Sequence, residues 1–417
     1  ASSYSDVMMA RPGGNPIASV GNCGRCHYTA QDTEHHETFN AQAGVDLPAT
    51  SWLSFSARGF VNLMRRTVSI ENLLTSDTIP AVSARLRSGG DVKTNVTLGP
   101  LNVIAGADLK WDEVENQNHL PNLGRKDLSA RAFGLYADGE VKLARKLILG
   151  AGVRYDGFDV SRNLWKNPTG ELSPRVSAVF HALPTLTLRG NYGHAFRAPT
   201  MVELGIFQRM YASTVIGNPF LGPERLDTVE LAFDGWPFGE VMRLTATGFY
   251  TVATNLISQV PLNSSAAEFR SVCGGKLGGV ELEVASQLPK LHTSVNLSYQ
   301  FLYSRLDSTG LPFDYASAHR VQFRARTSIG GTAFVDLYGA YVGPRNDPAL
   351  LVDEDGNDLG HIVLPGYFIA NARVGWNIID LFSVSAGLTN MFNAQYQETL
   401  GFKAPNTQLF AELKFVY

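Results

Sequence analysis

The sequence predicts an all-β protein, a transmembrane antiparallel β-barrel, and three observations carry that prediction: a dominant period of two, short and long connections in strict alternation, and a low-charge, Gly- and aromatic-rich composition. Only 18% of the 417 residues are charged, 10% are aromatic and 40 are glycine. The formal net charge of −3 gives no reason to expect a nucleic-acid partner. No run of 18 or more uncharged apolar residues is present, so membrane-spanning helices are not expected. The chain opens at Ala1 without a basic stretch followed by an apolar one, which fits either a removed signal peptide or a start that lies upstream.

The period begins near residue 38. In FSVSAGLTN, Phe382, Val384, Ala386 and Leu388 share one face, while Ser383, Ser385, Gly387 and Thr389 share the other. TSVNLSYQFLY repeats the pattern with Val295, Leu297, Tyr299, Phe301 and Tyr303, and QLFAELKFVY and TLTLRGNY do the same. A soluble sandwich gives equal alternation, so the links decide. Short links recur at 47–50, 98–100, 143–146, 182–185, 235–240, 286–290 and 328–332. Long polar links at 112–127, 157–173, 195–226, 258–275, 304–318 and 343–364 lie between them. Segregation of loops by end suits an outer-membrane barrel, with tight periplasmic turns and long surface loops. Trp52, Phe60, Tyr155, Tyr192, Tyr250, Tyr303, Tyr367 and Trp376 near strand ends suit interfacial girdles.

Counting back from a periplasmic Tyr417 gives about 17 strands starting near Phe39, which divides the chain into an extracellular loop-like segment, 1–37, and a barrel, 38–417. Closed bacterial barrels use an even number of strands. Either one further strand lies in 1–20, or these are the later strands of a larger barrel.

The segment 1–37 carries the most specific motif. Cys23, Cys26 and His27 form CxxCH, the spacing in which two thiols add to haem vinyl groups and the adjacent histidine ligates iron. His35, His36, Met8 and Met9 are the candidate further ligands. The same thiolates, imidazoles and thioethers would suit Cu or Zn, and Cys23 and Cys26 could instead form a small-loop disulfide. Cys273, in the link 258–275, reads as a free thiol or as a partner for one of the first two cysteines. His194, Arg209, Met210 and Tyr211, in and beside the longest link, are the candidate ligand-touching loop residues. No phosphate loop in a strand–helix context and no Ser, His and Asp set is apparent, so an enzyme is not expected.

LILGAGVRYDGF (147–158), LSPRVSAVFHALPTLTLRGNYGHAFRAPTMVEL (172–204), GNPFLGPERLDTVELAF (217–233), GGVELEVASQL (278–288), LPGYFIANARVGW (364–376) and LTNMFNAQYQETLGF (388–402) together resemble the C-terminal barrel of TonB-dependent outer-membrane receptors. The resemblance covers about 38–417. It implies a 22-stranded barrel closed by an N-terminal plug, so that about the first five strands and the plug are not visible in these residues. It further implies uptake of a metal chelate or similar nutrient, with outer-membrane lipid, a plug-containing polypeptide and the TonB energy-coupling system as partners. Two alternatives stand beside it. A haem c-bearing barrel would serve extracellular electron transfer with redox partners, and a plugless barrel would be a diffusion pore. The residues themselves allow a structural role for AFRAPT and GPER: Arg197 and Pro199 lead into the longest link, Pro223, Glu224 and Arg225 lead out, and Glu224 and Arg225 can pair with lumen charges.

Overall fold

Period-two sequence with tight turns folds into one antiparallel sheet of eighteen strands. The computed structural model describes residues 2–12, 28–72, 78–118, 126–161, 169–205, 207–210, 213–263, 266–352, 358–379 and 381–415. In chain order the strands are β1 (Ser2–Pro12), β2 (Tyr28–Pro48), β3 (Leu53–Asn72), β4 (Thr78–Leu98), β5 (Leu101–Asn118), β6 (Lys126–Leu143), β7 (Leu147–Ser161), β8 (Thr169–Leu183) and β9 (Leu186–Arg197). They continue as β10 (Glu224–Gly235), β11 (Met242–Thr254), β12 (Gly275–Leu288), β13 (Thr293–Leu306), β14 (His319–Ile329), β15 (Ala333–Val342), β16 (Tyr367–Ile379), β17 (Phe382–Thr389) and β18 (Gln408–Phe415). Neighbours pair antiparallel along β1 to β7 and along β12 to β18. Short links at 49–52, 99–100, 144–146, 184–185, 236–241, 289–292 and 330–332 alternate with longer ones, as the sequence predicts. At 99–100, one of the two tightest of these, Gly99 adopts φ +59, a conformation that side chains disfavour.

Two expectations shift. The segment expected as loop over 1–37 contributes β1 and the first ten residues of β2, paired with each other in the register Asp6↔His35, so a further strand does lie within 1–20, as one of the two alternatives had it, and the sheet has eighteen strands among the described residues. The link expected over 112–127 is likewise mostly strand, because β5 runs to Asn118 and β6 starts at Lys126. The cause is the same in both places. A strand of about 9–11 residues crosses a bilayer, whereas β2 has 21. Beyond the lipid a strand is held by its ladder alone, and a stretch such as TAQDTEHHE needs no apolar face.

The chain divides into two compact units, the first comprising 1–178, 192–227 and 253–274, the second 179–191, 228–252 and 275–417. In the first, β5 shows the two faces clearly. Leu109 and Trp111 are exposed, as a lipid-facing row should be, while Asp108 and Asp112 on either side of them, on the opposite face, are largely covered by arginines. Arg154 on β7 reaches over β6 to Asp108 on β5, with Nη1 2.7 Å from Oδ2. It can do so because Gly134 lies beneath: a Cβ there would stand 2.0 Å from Arg154 Nη2. Arg175 on β8 likewise reaches Asp138 on β6 over Gly152. In the second unit, Asp234 on β10 takes Arg189, Arg243 and the Thr245 hydroxyl, and Asp336 on β15 takes Arg324. One face of the sheet is therefore apolar and the other is a wall of cross-strand ion pairs. Two girdle expectations change. Phe60 lies over Gly89, on the face opposite the exposed Phe55 and Leu63, and Tyr367 is drawn into a loop cluster, stacked on Tyr396.

Candidate functional site at the loop ends

The link between β9 and β10 is folded from its own sequence. In APTMVELG, Thr200 and Glu203 make a reciprocal cap: the Thr200 amide donates to Glu203 Oε2 at 2.7 Å, and the Glu203 amide donates to Thr200 Oγ1 at 3.2 Å. This starts the one-turn helix Met201–Gly205. Arg197, the last residue of β9, then forks onto Glu203 (2.9 and 3.0 Å) and gives its Nε to Glu224 Oε2 at 2.6 Å, at the start of β10. Burial pushes the Glu203 carboxyl up, but the Arg197 guanidinium and the Thr200 hydrogen bonds outweigh it and hold the group below the usual carboxylate range. The other Glu224 oxygen accepts the Ile257 amide, and Asn255 donates to the Pro223 carbonyl, so the same knot takes in the next link. Arg225 pairs with Glu171 on β8.

Packing completes the cap. Leu204 and Leu221, 3% and 1% exposed, pack with Ala130, Met201, Ile257 and Phe269. Four short strands make a separate sheet from the two links: Phe207–Met210 against Ser213–Ile216, Ser213–Ile216 parallel to Ala266–Ser271, and Ala266–Ser271 against Ile257–Asn263. Beside the buried Leu221, Phe220 is 88% exposed, its amide held by Asn218 Oδ1 at 2.9 Å. The first unit thus carries a rigid, preorganised loop surface.

The sequence candidates fall in different places. His194 is committed to a cluster on the apolar face, shared with the exposed Leu188 and Leu231, its Nδ1 3.0 Å from Asp227 Oδ1, an oxygen that also accepts the Tyr192 hydroxyl at 2.8 Å. Arg209 and Met210 sit in the loop sheet opposite Thr214 and Ser213, and Tyr211 lies outside the described residues. Cys273 is exposed and has no disulfide partner among the described residues. Cys23, Cys26 and His27 lie outside the described residues. His35 and Met8 occupy one face of the β1–β2 pair, opposite Asp6 and Thr33, whereas His36 and Met9 take the other face, opposite Ser5 and Asp32. His35 Nε2 is 3.7 Å from Glu37. No group of three His, Cys, Asp or Glu suited to a metal occurs among the described residues.

Sequence reasoning missed a second cluster, in the loops of the second unit. Tyr367 stacks on Tyr396 with ring centres 4.1 Å apart, and Arg345 lies over the Tyr367 ring. Burial and then the Asp347 carboxylate push the Tyr315 hydroxyl up. The hint available was the pair of charged residues, Arg345 and Asp347, in the GPRNDP opening of the 343–364 link.

Comparison with known proteins agrees with this architecture. Residues 21–391 match the family described as TonB dependent receptor-like, beta-barrel. The heme/hemopexin utilization protein C of Haemophilus influenzae (strain 86-028NP) is 23% identical over 360 residues, covering 74% of this chain and 47% of that protein. The vitamin B12 transporter BtuB of Vibrio cholerae is 25% identical over 245 residues, 58% of this chain and 36% of that protein. This chain therefore spans about half or less of the length of these relatives. Among solved structures, the copper transporter OprC superposes with TM-score 0.76 at 15% identity, over 93% of this chain and 66% of that one. The FrpB iron transporter from Neisseria meningitidis (F3-3 variant) gives 0.75 at 12%, over 99% and 68%. At such identities the structures speak for the fold alone. With an eighteen-stranded antiparallel sheet, an apolar face backed by a wall of ion pairs, and a family match over most of its length, the chain belongs to the TonB-dependent receptor β-barrels of the outer membrane.

Proposed function

We propose that this barrel serves the uptake of a metal chelate or a similar scarce nutrient, with transport driven through the TonB system and a plug supplied by this polypeptide or another. The observation that carries the proposal is the preorganised cap: Arg197 ties Glu203 and Glu224 together, and the loops of the first unit pack on Leu204 and Leu221. A diffusion pore has no need of ordered surface loops, whereas a receptor gains affinity when its loops need not be ordered on binding. The names of the relatives, a haem-utilisation protein and a vitamin B12 transporter, agree with this class of cargo without choosing within it. The test is uptake of radiolabelled ferric chelates, haem and cobalamin by cells with and without the gene. Uptake that requires the gene and stops when the proton gradient is collapsed is expected. Gene-dependent uptake that ignores the gradient would make this a pore.

A second reading, a barrel bearing haem c or a Cu or Zn ion and working in extracellular electron transfer, draws support from one placement. His35 lies thirteen residues before Pro48, where β2 meets its short turn. That is about 44 Å along the strand and well past a bilayer span. By the alternation of links, the ends of β1 and β2 at Pro12 and Tyr28 are the extracellular ones, His35 and Met8 share a face of these strands, and on this reading Cys23, Cys26 and His27, outside the described residues, would act on that side. Haem, when bound there, would supply one-electron chemistry; Cys23 and Cys26 would hold it and His27 would ligate the iron. Intact mass of the denatured protein, with a visible spectrum after reduction, decides this. One haem added and sharp reduced bands are expected on this reading, and an unmodified mass without bands sinks it.

A further inference from the structure

Arginines on the polar wall meet carboxylates, as Arg154, Arg175, Arg189, Arg197 and Arg324 do. Arg345 departs from that rule. It is 6% exposed, more deeply buried than any of those, and among the described residues no carboxylate pairs with it. Its Nη2 donates to the Gln397 carbonyl at 2.7 Å, while Nη1 is buried with no partner. The guanidinium carbon stands 5.2 Å from the Tyr367 ring centre. The nearby acids are engaged elsewhere. Asp347, 2% exposed, accepts the Leu400 amide at 3.0 Å, and Glu398 accepts the Tyr367 hydroxyl at 3.3 Å. A buried guanidinium facing a neutral carbonyl and a ring is an incomplete arrangement, because a charge taken from water needs an opposite charge to offset its desolvation.

The geometry points to an oxyanion site at Arg345, walled by Tyr367 and Tyr396 and covered in the unliganded protein by the hairpin Gln397–Thr399 and Phe402–Lys403, for a carboxylate or phosphate group of the arriving cargo. A guanidinium offers two parallel N–H groups that fit either anion in bidentate fashion, and a charged acceptor binds them more strongly than a peptide carbonyl does. The incoming anion takes the place of the Gln397 carbonyl, pairs with the orphaned Nη1 and frees the hairpin. That the anion arrives as cargo rests on the receptor reading above; the site itself does not.

The experiment uses outer-membrane fragments carrying the whole protein, with radiolabelled citrate and inorganic phosphate as probes and trimethyl citrate as the uncharged competitor. Saturable citrate binding that trimethyl citrate fails to displace is expected. It should weaken by roughly tenfold or more in Arg345→Gln, and by less in Arg345→Lys, which keeps the charge and loses the fork. Citrate should also quicken tryptic cleavage after Lys403 severalfold as the hairpin lifts. Faster migration of the unboiled than the boiled protein on gels establishes that each variant is a folded barrel. Binding of citrate alone assigns the site to carboxylates, and equal binding of phosphate assigns it to oxyanions of both kinds. Failure of the wild-type protein to bind either probe, displacement by the ester, or undiminished binding in folded Arg345→Gln overturns the site. Because these measurements need no energised uptake, intact citrate binding with no transport would sink the receptor reading and leave the site standing.

Discussion

Replacing Gly134 by alanine should destabilise this barrel, although the same change in a strand interior ordinarily gains about 0.5–1 kcal/mol. The new Cβ would lie 2.0 Å from Arg154 Nη2, 2.5 Å from its Cζ and 2.7 Å from Asp108 Oδ2, so the guanidinium has to leave the space over β6. Arg154 keeps Asp156 on its own strand, with contacts of 2.6–2.9 Å. What is lost is the bridge to Asp108, whose side chain is only 14% exposed and is left with Lys110 at 3.6 Å. Breaking a well-buried pair costs about 3–5 kcal/mol and an exposed one at most about 1. With Lys110 remaining and Arg154 one-third exposed, about 2 kcal/mol is the reasonable figure. Net of the alanine gain, Gly134→Ala should lose about 1 kcal/mol. The assay is urea unfolding in detergent micelles, read by unboiled gel migration and tryptophan fluorescence. The decisive comparison is made in an Arg154→Ala background, where the guanidinium is gone, only the Asp108 carboxylate remains near the new methyl and is no longer held over Gly134, and the alanine should become stabilising. An effect of the same sign and size in both backgrounds would refute the account, since it rests wholly on coupling between these two positions.

Three further outcomes follow from the loop cap. Glu203 has its carboxyl lowered in the folded protein, so its contribution is fully present above the ordinary carboxylate value near about pH 4.3 and is lost as pH falls through the lowered one; hydrogen exchange over 198–205, corrected for intrinsic rates, should rise on acidification, and Glu203→Gln should flatten that dependence. Leu221→Ala removes the most buried side chain of the cap and should cost about 2–4 kcal/mol of local stability, seen as lost exchange protection in 257–271 while β12 to β18 stay protected; uniform loss across the sheet would mean that the cap is not a separate packing unit. Cys273, exposed and without a disulfide partner among the described residues, should react after mild reduction with a membrane-impermeant maleimide on intact cells; labelling only after the outer membrane is breached would reverse the assignment of long links to the cell surface.

The parts of this fold written plainly in the sequence are those the lipid constrains. FSVSAGLTN alternates because one side of β17 must meet hydrocarbon, and the strand found there, Phe382–Thr389, coincides with the expected pattern. Leu98-Gly99-Pro100 reads as a turn because its backbone needs a residue free to adopt φ above zero. Beyond the bilayer that constraint lifts, and 28–37 is strand without looking like one. The FRAP and PER segments were legible as bracketing the longest link, and Glu224 and Arg225 as charges to be paired, but their partners, Arg197 for Glu224 and Glu171 for Arg225, follow from strand neighbourhood. Arg345 was legible only as a charge in the GPRNDP opening of its link, without its partners. Its surroundings come from Tyr367 and from Gln397, 52 residues away, and no local pattern announces a contact of that reach.

The length of β2 to β6 has a consequence for recognition from outside the cell. Each of these strands has 18 to 21 residues, roughly twice what a bilayer occupies. Much of the material presented to the surroundings by the first unit is accordingly hydrogen-bonded sheet. An antibody or phage that fastens onto it would read residues brought side by side from adjacent strands, such as Glu37 beside Arg65, and not a continuous peptide. Immunogens cut as linear peptides from this region would therefore raise sera blind to the folded protein, and resistance to such a binder would arise by single substitutions on neighbouring strands more readily than by changes in loop length.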